Sequence, residues 1–438
     1  MSLPTIEIPT MPSAVHSGPS RRAIAIPVCF AVAAAGVIAG GYYLELVLRA
    51  PRLMLHLTDL GVYQIAGHRV SQGISLYDTP LLGHTRGVME FVYTPFAALL
   101  FVPLAGAAGV LRSWVAGLGN AAMVVVSAWA ALSMLGYRRD LRMALLGVPI
   151  AGLAMWCEPI RQTMAFGQVN ILLLMLVLVD MALPDSSRWK GALTGVAAGI
   201  KLTPAFFVLY LLATKRYRAA AASIGGFAAT VLVGALVMPR DSLTFWSGAF
   251  ADPARVGVPQ NDSNESLRGL LARTVGVAGI HQLLWLIAAL AIAVISLALA
   301  RRLAHTGQEL AAVALCGLTM TTVSPYSWVH HWVFLFPALI VLAELAIRRP
   351  GVRTVPIAVI TAVIASGGVL PLSGVRASSV FDYHEHSTLY HNAYIWLTLA
   401  LLVAAAGYVR GRSGDRASRE FVSDDEPRPV AGGARSLG

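Results

Sequence analysis

Long apolar runs alternate with short polar segments along most of the chain. A helix needs about 20 mainly apolar residues to cross the hydrocarbon core of a membrane, so runs of at least about 17 predict transmembrane helices. About twelve runs reach or approach that length, and a few are marginally short. They occupy residues 23–47, 93–108, 114–135, 141–155, 169–183, 191–213, 219–237, 281–299, 310–322, 331–347, 355–370 and 390–409. The pattern predicts an all-α polytopic membrane protein with about twelve transmembrane helices.

Basic residues cluster at the ends of these runs, as at Arg21-Arg22 and Lys215-Arg216. Cytoplasmic loops are enriched in Arg and Lys, which places the N-terminus in the cytoplasm. Strict alternation then puts four segments outside, namely residues 48–91, 240–280, 323–330 and 371–389. We therefore expect a multi-pass protein of the plasma membrane with a long first periplasmic loop.

Two basic groups in the middle of the chain, at residues 138–139 and 188–190, would fall outside under strict alternation. A re-entrant pair at residues 201–204, with a second broken element between residues 91 and 135, would remove this conflict with the positive-inside rule. The four outer segments stay outside in either scheme.

Polar, Pro- and Ser-containing stretches flank the apolar part of the chain at residues 1–20 and 411–438. Such segments bury too little apolar surface to fold by themselves. We predict two disordered cytoplasmic tails around a membrane domain at residues 21–410.

Composition agrees with a membrane protein, since 57% of the residues are hydrophobic and 13% are charged. Soluble domains carry about 25% charged residues. The net charge of +11 would favour nucleic-acid binding in a soluble protein, but here the basic residues flank apolar runs, so we expect no nucleic-acid partner. Cys29, Cys157 and Cys316 lie in or beside apolar runs without metal-ligand spacing, and no cluster of carboxylates indicates a metal. We expect no cofactor.

Lys201 is an isolated charge inside an apolar run, with no other charged residue within ten positions. An ammonium at the centre of a transmembrane helix costs roughly 2.5–3.5 kcal/mol on insertion scales, so its presence predicts a polar cavity. The alternative is a structural role, in which Lys201 snorkels or bonds to a carbonyl freed by a helix break at Thr203-Pro204.

The first outer segment begins with an acidic residue, Asp59, followed by an amphipathic stretch at residues 60–70 that would end at Gly73. Thr58 or Asp59 could cap this helix by accepting a backbone N–H. A carboxylate at the membrane surface could instead act as a base.

Further polar residues occur where runs begin or end. Tyr326, His330 and His331 follow Pro325, and two adjacent histidines cannot both point the same way on a helix, so at most one is expected to enter a site. Other polar candidates are Arg268 and Arg273, which could snorkel or dock an anionic lipid, Gln168 and Asn170, which could bond between helices, and Glu344, which Arg348 would pair with.

The order of several short motifs resembles glycosyltransferase family 87. They are Asp59, Gly73-Ile74-Ser75-Leu76-Tyr77, Tyr93-Thr94-Pro95-Phe96, Gly167-Gln168-Val169-Asn170, Ile200-Lys201-Leu202-Thr203-Pro204, and Ser324-Pro325 with His330-His331. Members of that family are actinobacterial mannosyltransferases with the membrane-embedded GT-C fold. Within the family, the chain is most similar to enzymes that add the fifth mannose to phosphatidylinositol mannosides.

The resemblance implies an inverting transferase that moves mannose from polyprenyl-phosphate-mannose to a phosphatidylinositol mannoside through an α-(1→2) linkage, outside the cytoplasm. It implies that Asp59 is the catalytic base. The leaving phosphate needs cations or hydrogen-bond donors, for which Lys201, His330, His331 and Arg268 are available. Further site candidates are Tyr63, Gln168, Asn170 and Tyr326.

Three other functions stay open at this stage. The chain could be a transferase that branches lipomannan or lipoarabinomannan, a transporter or flippase of lipid-linked sugars, or a scaffold without catalysis. A flippase would account for a buried lysine, but not for a long first outer loop with an acidic residue at the membrane surface.

Overall fold

The computed structural model describes residues 25–83, 89–107, 109–252, 255–367 and 392–424, and this part of the chain is helical. In chain order the α-helices are α1 Ile26–Arg49, α2 Pro51–Met54, α3 Thr58–Gln72, α4 Pro95–Phe101, α5 Gly109–Met134, α6 Leu141–Ala154, α7 Glu158–Phe166, α8 Asn170–Met181, α9 Ala192–Ile200, α10 Phe206–Ala213, α11 Tyr217–Val237, α12 Pro239–Ser247, α13 Leu267–Val275, α14 Gly279–His305, α15 Glu309–Val323, α16 Leu335–Arg348, α17 Thr354–Ala365 and α18 Ala393–Asp424. Short 3₁₀ helices lie at Val102–Leu104, Thr203–Ala205, Ala249–Ala251 and Val329–His331.

Fewer helices than expected are long enough to span a membrane by themselves. Among the described residues five helices are long and apolar enough, namely α1, α5, α11, α14 and the part of α18 at Ala393–Gly411, and the number rises to six if α6 and α7 form one span. The protein is thus an all-helical multi-span membrane protein, and the prediction of about twelve spans is not reproduced by helix length and composition.

Among the described residues, five of the other runs contain apolar helices of only 10–17 residues, and one of these runs is broken. The run predicted at residues 191–213 is divided into α9 and α10, with Lys201 in extended conformation between them. Helices α6 and α7 meet at an angle of 86°. The break at Lys201 was predicted from Pro204, whereas the bend between α6 and α7 was not.

Neighbouring helices pack closely where small residues meet. A Cβ on Gly36 of α1 would lie 2.1 Å from the carbonyl oxygen of Pro149 in α6. A glycine is therefore needed at this position for the two backbones to touch. Such close contact is the usual means of joining helices in a membrane, where lipid tails remove the hydrophobic driving force between them.

The outer segments predicted from the sequence contain short helices. Helices α2 and α3 lie in the first segment, and α12 and α13 lie in the second. The predicted amphipathic helix that ends at Gly73 is confirmed, because α3 ends at Gln72 and Gly73 takes the left-handed conformation with φ 67°. The fourth segment, residues 371–389, lies outside the described residues.

The predicted tails are described only in part. Helix α18 continues past residue 410 to Asp424, so the chain beyond the predicted boundary begins as helix. The polar sequence after residue 410 did not indicate that the helix would continue. Residues 1–20 and the end of the chain from residue 425 lie outside the described residues.

Candidate functional site

Asp59 lies in the first turn of α3, at the end of an unusual backbone turn. Leu57 precedes the helix in the left-handed conformation (φ 52°, ψ 35°), which is uncommon for a branched side chain. Its N–H donates to the carbonyl of Ala165 over 2.8 Å, and its side chain is buried, so packing against α7 holds this conformation.

The capping role considered for Thr58 or Asp59 is wrong, because neither side chain caps α3 and Leu57 occupies the N-cap position. The carboxylate of Asp59 instead accepts a hydrogen bond from Nε2 of Gln168. Asp59 is therefore directed into the protein rather than toward its own backbone.

Gln168 reaches Asp59 because α7 ends at a glycine that touches α3. Gly167 has φ 69°, and a Cβ there would lie 2.7 Å from Cβ of Leu60. A side chain at residue 167 would thus be strained by its backbone and would push α3 away. This contact places the loop between α7 and α8 directly against the first turn of α3.

Two tyrosine hydroxyls contact the other end of the Gln168 amide. Its Oε1 lies 2.6 Å from Oη of Tyr63 and 2.9 Å from Oη of Tyr93, and the two hydroxyls are 2.7 Å apart. Tyr63 is on α3, and Tyr93 precedes α4. Three separate parts of the chain therefore meet at one amide.

Burial raises the pKa of the Asp59 carboxyl to about 6, because the charged form loses hydration. The hydrogen bond from Gln168 and the positive charge of Lys201 act in the opposite direction. A pKa close to neutral suits a group that must take up a proton at neutral pH.

Lys201 follows the last turn of α9, where the helix breaks before Pro204. Its Nζ donates to Oδ1 of Asn170 over 3.1 Å and lies 2.8 Å from Nε2 of His331. It also lies 5.5 Å from the ring centroid of Tyr93. The contacts of this ammonium among the described residues are neutral groups, which leaves its charge available to an anion.

A small cavity of about 20 Å³, room for about one water molecule, lies beside Lys201. Its lining combines polar and apolar side chains: Asn170, Leu173, Lys201, Thr203, Met320, Thr321, Ser327, His331, Val333 and Phe334. The isolated lysine thus lies beside a small, partly polar cavity and also at a helix break.

The two adjacent histidines have different environments, as expected from their spacing. Nε2 of His331 lies 2.8 Å from Nζ of Lys201, and Nδ1 lies 3.3 Å from the backbone nitrogen of Trp328. A neutral imidazole accepts at one of these nitrogens and carries its proton on the other. His330 is buried, with its ring 5.4 Å from that of Phe166 and stacked on Trp328 at 6.2 Å. His331 therefore belongs to the cluster around Lys201, and His330 packs behind it.

Arg268 and Tyr326 are not brought into this cluster. The guanidinium of Arg268 lies 5.4 Å from the ring of Trp285 and donates to Gln282 over 3.3 Å, both in α14. Tyr326 packs against Trp328 at 5.1 Å. These contacts of Arg268 do not include Lys201, and its contact with the donor phosphate stays a prediction.

Tyr93 is a site residue that the sequence analysis did not select as a candidate, although it stands in one of the motifs used for the resemblance. Its hydroxyl contacts Gln168, and its ring faces Lys201. The sequence did contain one indication of this role: Tyr93 directly precedes Thr94-Pro95, where a capped helix begins.

We call these contacting residues the carboxylate–lysine cluster: Asp59, Tyr63, Tyr93, Gln168, Asn170, Lys201 and His331. It joins α3, α8, the end of α9 and the segment after α15. Fold and site together define a class of protein: an all-helical multi-span membrane protein with a buried polar site beside a helix break.

The chain belongs to glycosyltransferase family 87, whose family model matches residues 91–325, more than half of the chain. The polyprenol-phosphate-mannose-dependent alpha-(1-2)-phosphatidylinositol mannoside mannosyltransferase of Mycobacterium tuberculosis is 30% identical over 85% of this chain and 89% of its own length. The corresponding phosphatidylinositol pentamannoside mannosyltransferase of Mycolicibacterium smegmatis is 32% identical over 64% of this chain and 68% of its own length. No solved structure matches the chain. The family expected from the ordered motifs is confirmed.

Proposed function

We propose that this protein transfers mannose from polyprenyl-phosphate-mannose to a phosphatidylinositol mannoside, forming an α-(1→2) linkage. The observation that carries the proposal is the carboxylate–lysine cluster, in which a carboxylate with a pKa of about 6 and an ammonium with neutral partners share one partly buried site. The family and the two relatives supply the reaction and substrates for which this pair is suited.

Asp59 is the general base in this proposal. It accepts the proton of the acceptor hydroxyl while the hydroxyl oxygen attacks the anomeric carbon of mannose. Its raised pKa keeps the carboxyl able to hold that proton once it has been transferred.

Lys201 stabilises the leaving phosphate. As the bond from the anomeric carbon to the phosphate oxygen breaks, the polyprenyl phosphate gains negative charge, which a positioned ammonium offsets most strongly where water is excluded. Asn170 and His331 hold Nζ in place at 3.1 Å and 2.8 Å. A single displacement with one base inverts the configuration, so a β-linked donor yields an α-linked product.

The architecture proposed for the chain is the GT-C fold of this family, with about twelve spans of which several are broken or bent. The apolar helices too short to cross a membrane alone, such as α8, α15 and α17, would complete these spans in pairs. The carboxylate–lysine cluster would face the periplasm, where no nucleotide sugars are present and a lipid-linked donor is needed.

Transfer of radiolabelled mannose by the purified protein tests the function. With polyprenyl-phosphate-mannose and a phosphatidylinositol tetramannoside, we expect a labelled pentamannoside whose new linkage an α-(1→2)-specific mannosidase removes. Labelling of lipomannan but not of the glycolipid would favour the branching reaction. Movement of the donor across vesicles without transfer would favour a flippase.

Accessibility of introduced cysteines tests the orientation. In a variant without native cysteines, a cysteine in place of exposed Asp262, before α13, should react in intact cells with a thiol reagent that does not cross membranes. A cysteine in place of exposed His305, at the opposite end of α14, should react only after permeabilisation. The reverse pattern would place the cluster in the cytoplasm.

A further inference from the structure

We infer that Gln168 is a positioning residue for Asp59, held by Tyr63 and Tyr93 so that its amide donates to the carboxylate. This inference rests on the proposed function, because it concerns the residue proposed as base. It gives the two tyrosines and the amide a role in the reaction beyond joining helices.

The orientation of the Gln168 amide follows from what each neighbour can donate. An ionised carboxylate only accepts hydrogen bonds, so the nitrogen of the amide must face Asp59 for a proton to lie between them. The flipped amide would place two acceptors against each other. Oε1 consequently faces Tyr63 and Tyr93.

The hydroxyls of Tyr63 and Tyr93 carry one proton each, so both protons are used when both hydroxyls donate to Oε1. Three contacts of 2.6–2.9 Å link Tyr63, Tyr93 and Oε1, and two hydroxyl protons can make two of them as hydrogen bonds. A carbonyl oxygen has two lone pairs and accepts both hydroxyls when each points toward it. Tyr63 is buried and stacks on Phe101 at 4.4 Å, which fixes its hydroxyl.

Tyr93 also lies between the Asp59 side and the Lys201 side of the cluster. Its hydroxyl contacts the amide that binds Asp59, and its ring lies 5.5 Å from Nζ of Lys201. The spacing between the base and the lysine is therefore set partly by one rigid side chain. A shift of Gln168 would change the direction of the carboxylate without touching Lys201.

The substitution Gln168→Met tests this role, because Met has similar length and no hydrogen-bonding amide. A hydrogen bond to the charged form favours ionisation, so its loss should raise the pKa of Asp59. We expect the acid limb of the kcat profile to move up by about one pH unit. The ionised fraction of Asp59 at pH 7 then falls from about nine-tenths to about one half, so kcat at that pH should fall about twofold. The KM for the donor should change little, since Lys201 keeps its partners.

Tyr93→Phe and Tyr63→Phe should give smaller shifts in the same direction, because each leaves one hydroxyl to hold Oε1. Asn120→Leu is the matched control. Asn120 is another buried amide, in α5, outside the carboxylate–lysine cluster. Its substitution should leave the acid limb in place even if the melting temperature falls. If the acid limb of the kcat profile of Gln168→Met lies at the same pH as in the unsubstituted protein, the inference is wrong.

A titration that does not depend on activity separates this inference from the proposed function. The infrared carboxyl band of Asp59, isolated by subtracting the spectrum of Asp59→Asn, should titrate at higher pH in Gln168→Met than in the unsubstituted protein. If Asp59→Asn lacks transfer and the band does not move, the base assignment stands and the positioning role fails. If Asp59→Asn retains full transfer while the band moves, the base assignment fails and the contact is structural.

Discussion

Two polar clusters lie at opposite ends of the same helices, α8, α9 and α15. The carboxylate–lysine cluster is at the start of α8 and follows α9 and α15. The second, which we call the Arg216–Glu309 cluster, consists of Tyr210, Asp185, Lys190, Arg216 and Glu309, and lies where α8 ends and where α9 and α15 begin. Both contain buried or half-buried charges, but they pair them differently.

In the Arg216–Glu309 cluster each charge has an opposite charge as a direct partner. Arg216 binds Glu309 with two bonds of 2.5 Å and 2.8 Å, and Asp185 accepts from both Lys190 and Arg216, at 2.8 Å and 3.2 Å. Bidentate pairs of this kind are strong and geometrically specific. Their charges are compensated, so this cluster joins helices and offers little to a ligand.

The carboxylate–lysine cluster keeps its two charges apart. Asp59 is bound by a neutral amide, and Lys201 by Asn170 and His331. Folding has thus placed a cation and an anion in one site without joining them in an ion pair. The difference indicates that pairing, rather than burial, distinguishes a structural charge from one available for chemistry.

The substitution Asp59→Asn should have the largest effect. Loss of the base should lower mannose transfer by about 10³-fold, because general bases contribute roughly 10²–10⁴. The melting temperature should stay equal or rise, since a half-buried charge is removed. The rate of transfer and the melting curve of the purified protein check this, with Asp262→Asn as an exposed control. Transfer above a tenth of normal would remove Asp59 as the base.

Lys201→Met should rank next. Transfer should fall about 10²-fold, as when one transition-state donor is removed, and Lys201→Arg should recover part of it because charge is kept while geometry changes. The fold should persist, since the loss of a charge in an apolar segment favours insertion. The kcat and the KM for the donor, measured for both variants, decide between this role and a purely structural one. Lys215→Met, which replaces an exposed lysine, is the control.

Glu309→Gln should affect stability rather than turnover. The pair with Arg216 is about five-sixths buried, so breaking it should cost about 2 kcal/mol, less than the roughly 3–5 kcal/mol of a fully buried pair. We expect a melting temperature lower by a few degrees and a normal kcat for the folded fraction. A large loss of kcat without destabilisation would contradict the structural assignment of the Arg216–Glu309 cluster.

The last prediction concerns pH and stability. The pKa of Asp59 is about 6 in the folded protein against 3.8 as the ordinary value, so between these values the folded state holds a proton that the unfolded chain has lost. Stability should therefore fall as the pH rises from about 4 to about 6, and transfer should rise through pH 6 as the base ionises. Melting curves of the unsubstituted protein and Asp59→Asn should diverge in this window. A constant difference between them would contradict the raised pKa.

Local sequence patterns determined several features correctly. Gly73 ended a helix because it adopts φ 67° without strain, and Pro204 marked the break beside Lys201. Glu344 and Arg348 were predicted as a pair because they stand one helical turn apart, and they form a salt bridge. Each of these features depends on residues that are close together in the sequence, so the sequence alone was enough to predict it.

Features that join distant parts of the chain were decided by the tertiary structure. Fewer helices than predicted runs are long enough to span a membrane alone, because run length does not show where a helix is interrupted, as it is at Lys201. Arg268 was selected as a phosphate contact by its charge, whereas its place beside α14 follows from tertiary packing.

Asp59 was selected from the sequence as a base or a cap, but its partner could not be read from it. Gln168 lies 109 positions away, and only the contact of Gly167 with α3 brings the two together. The sequence by itself therefore determined which residues carry charge and where helices break, since these are local properties. Tertiary packing decided which charges stay unpaired, because that depends on the neighbours that other helices supply.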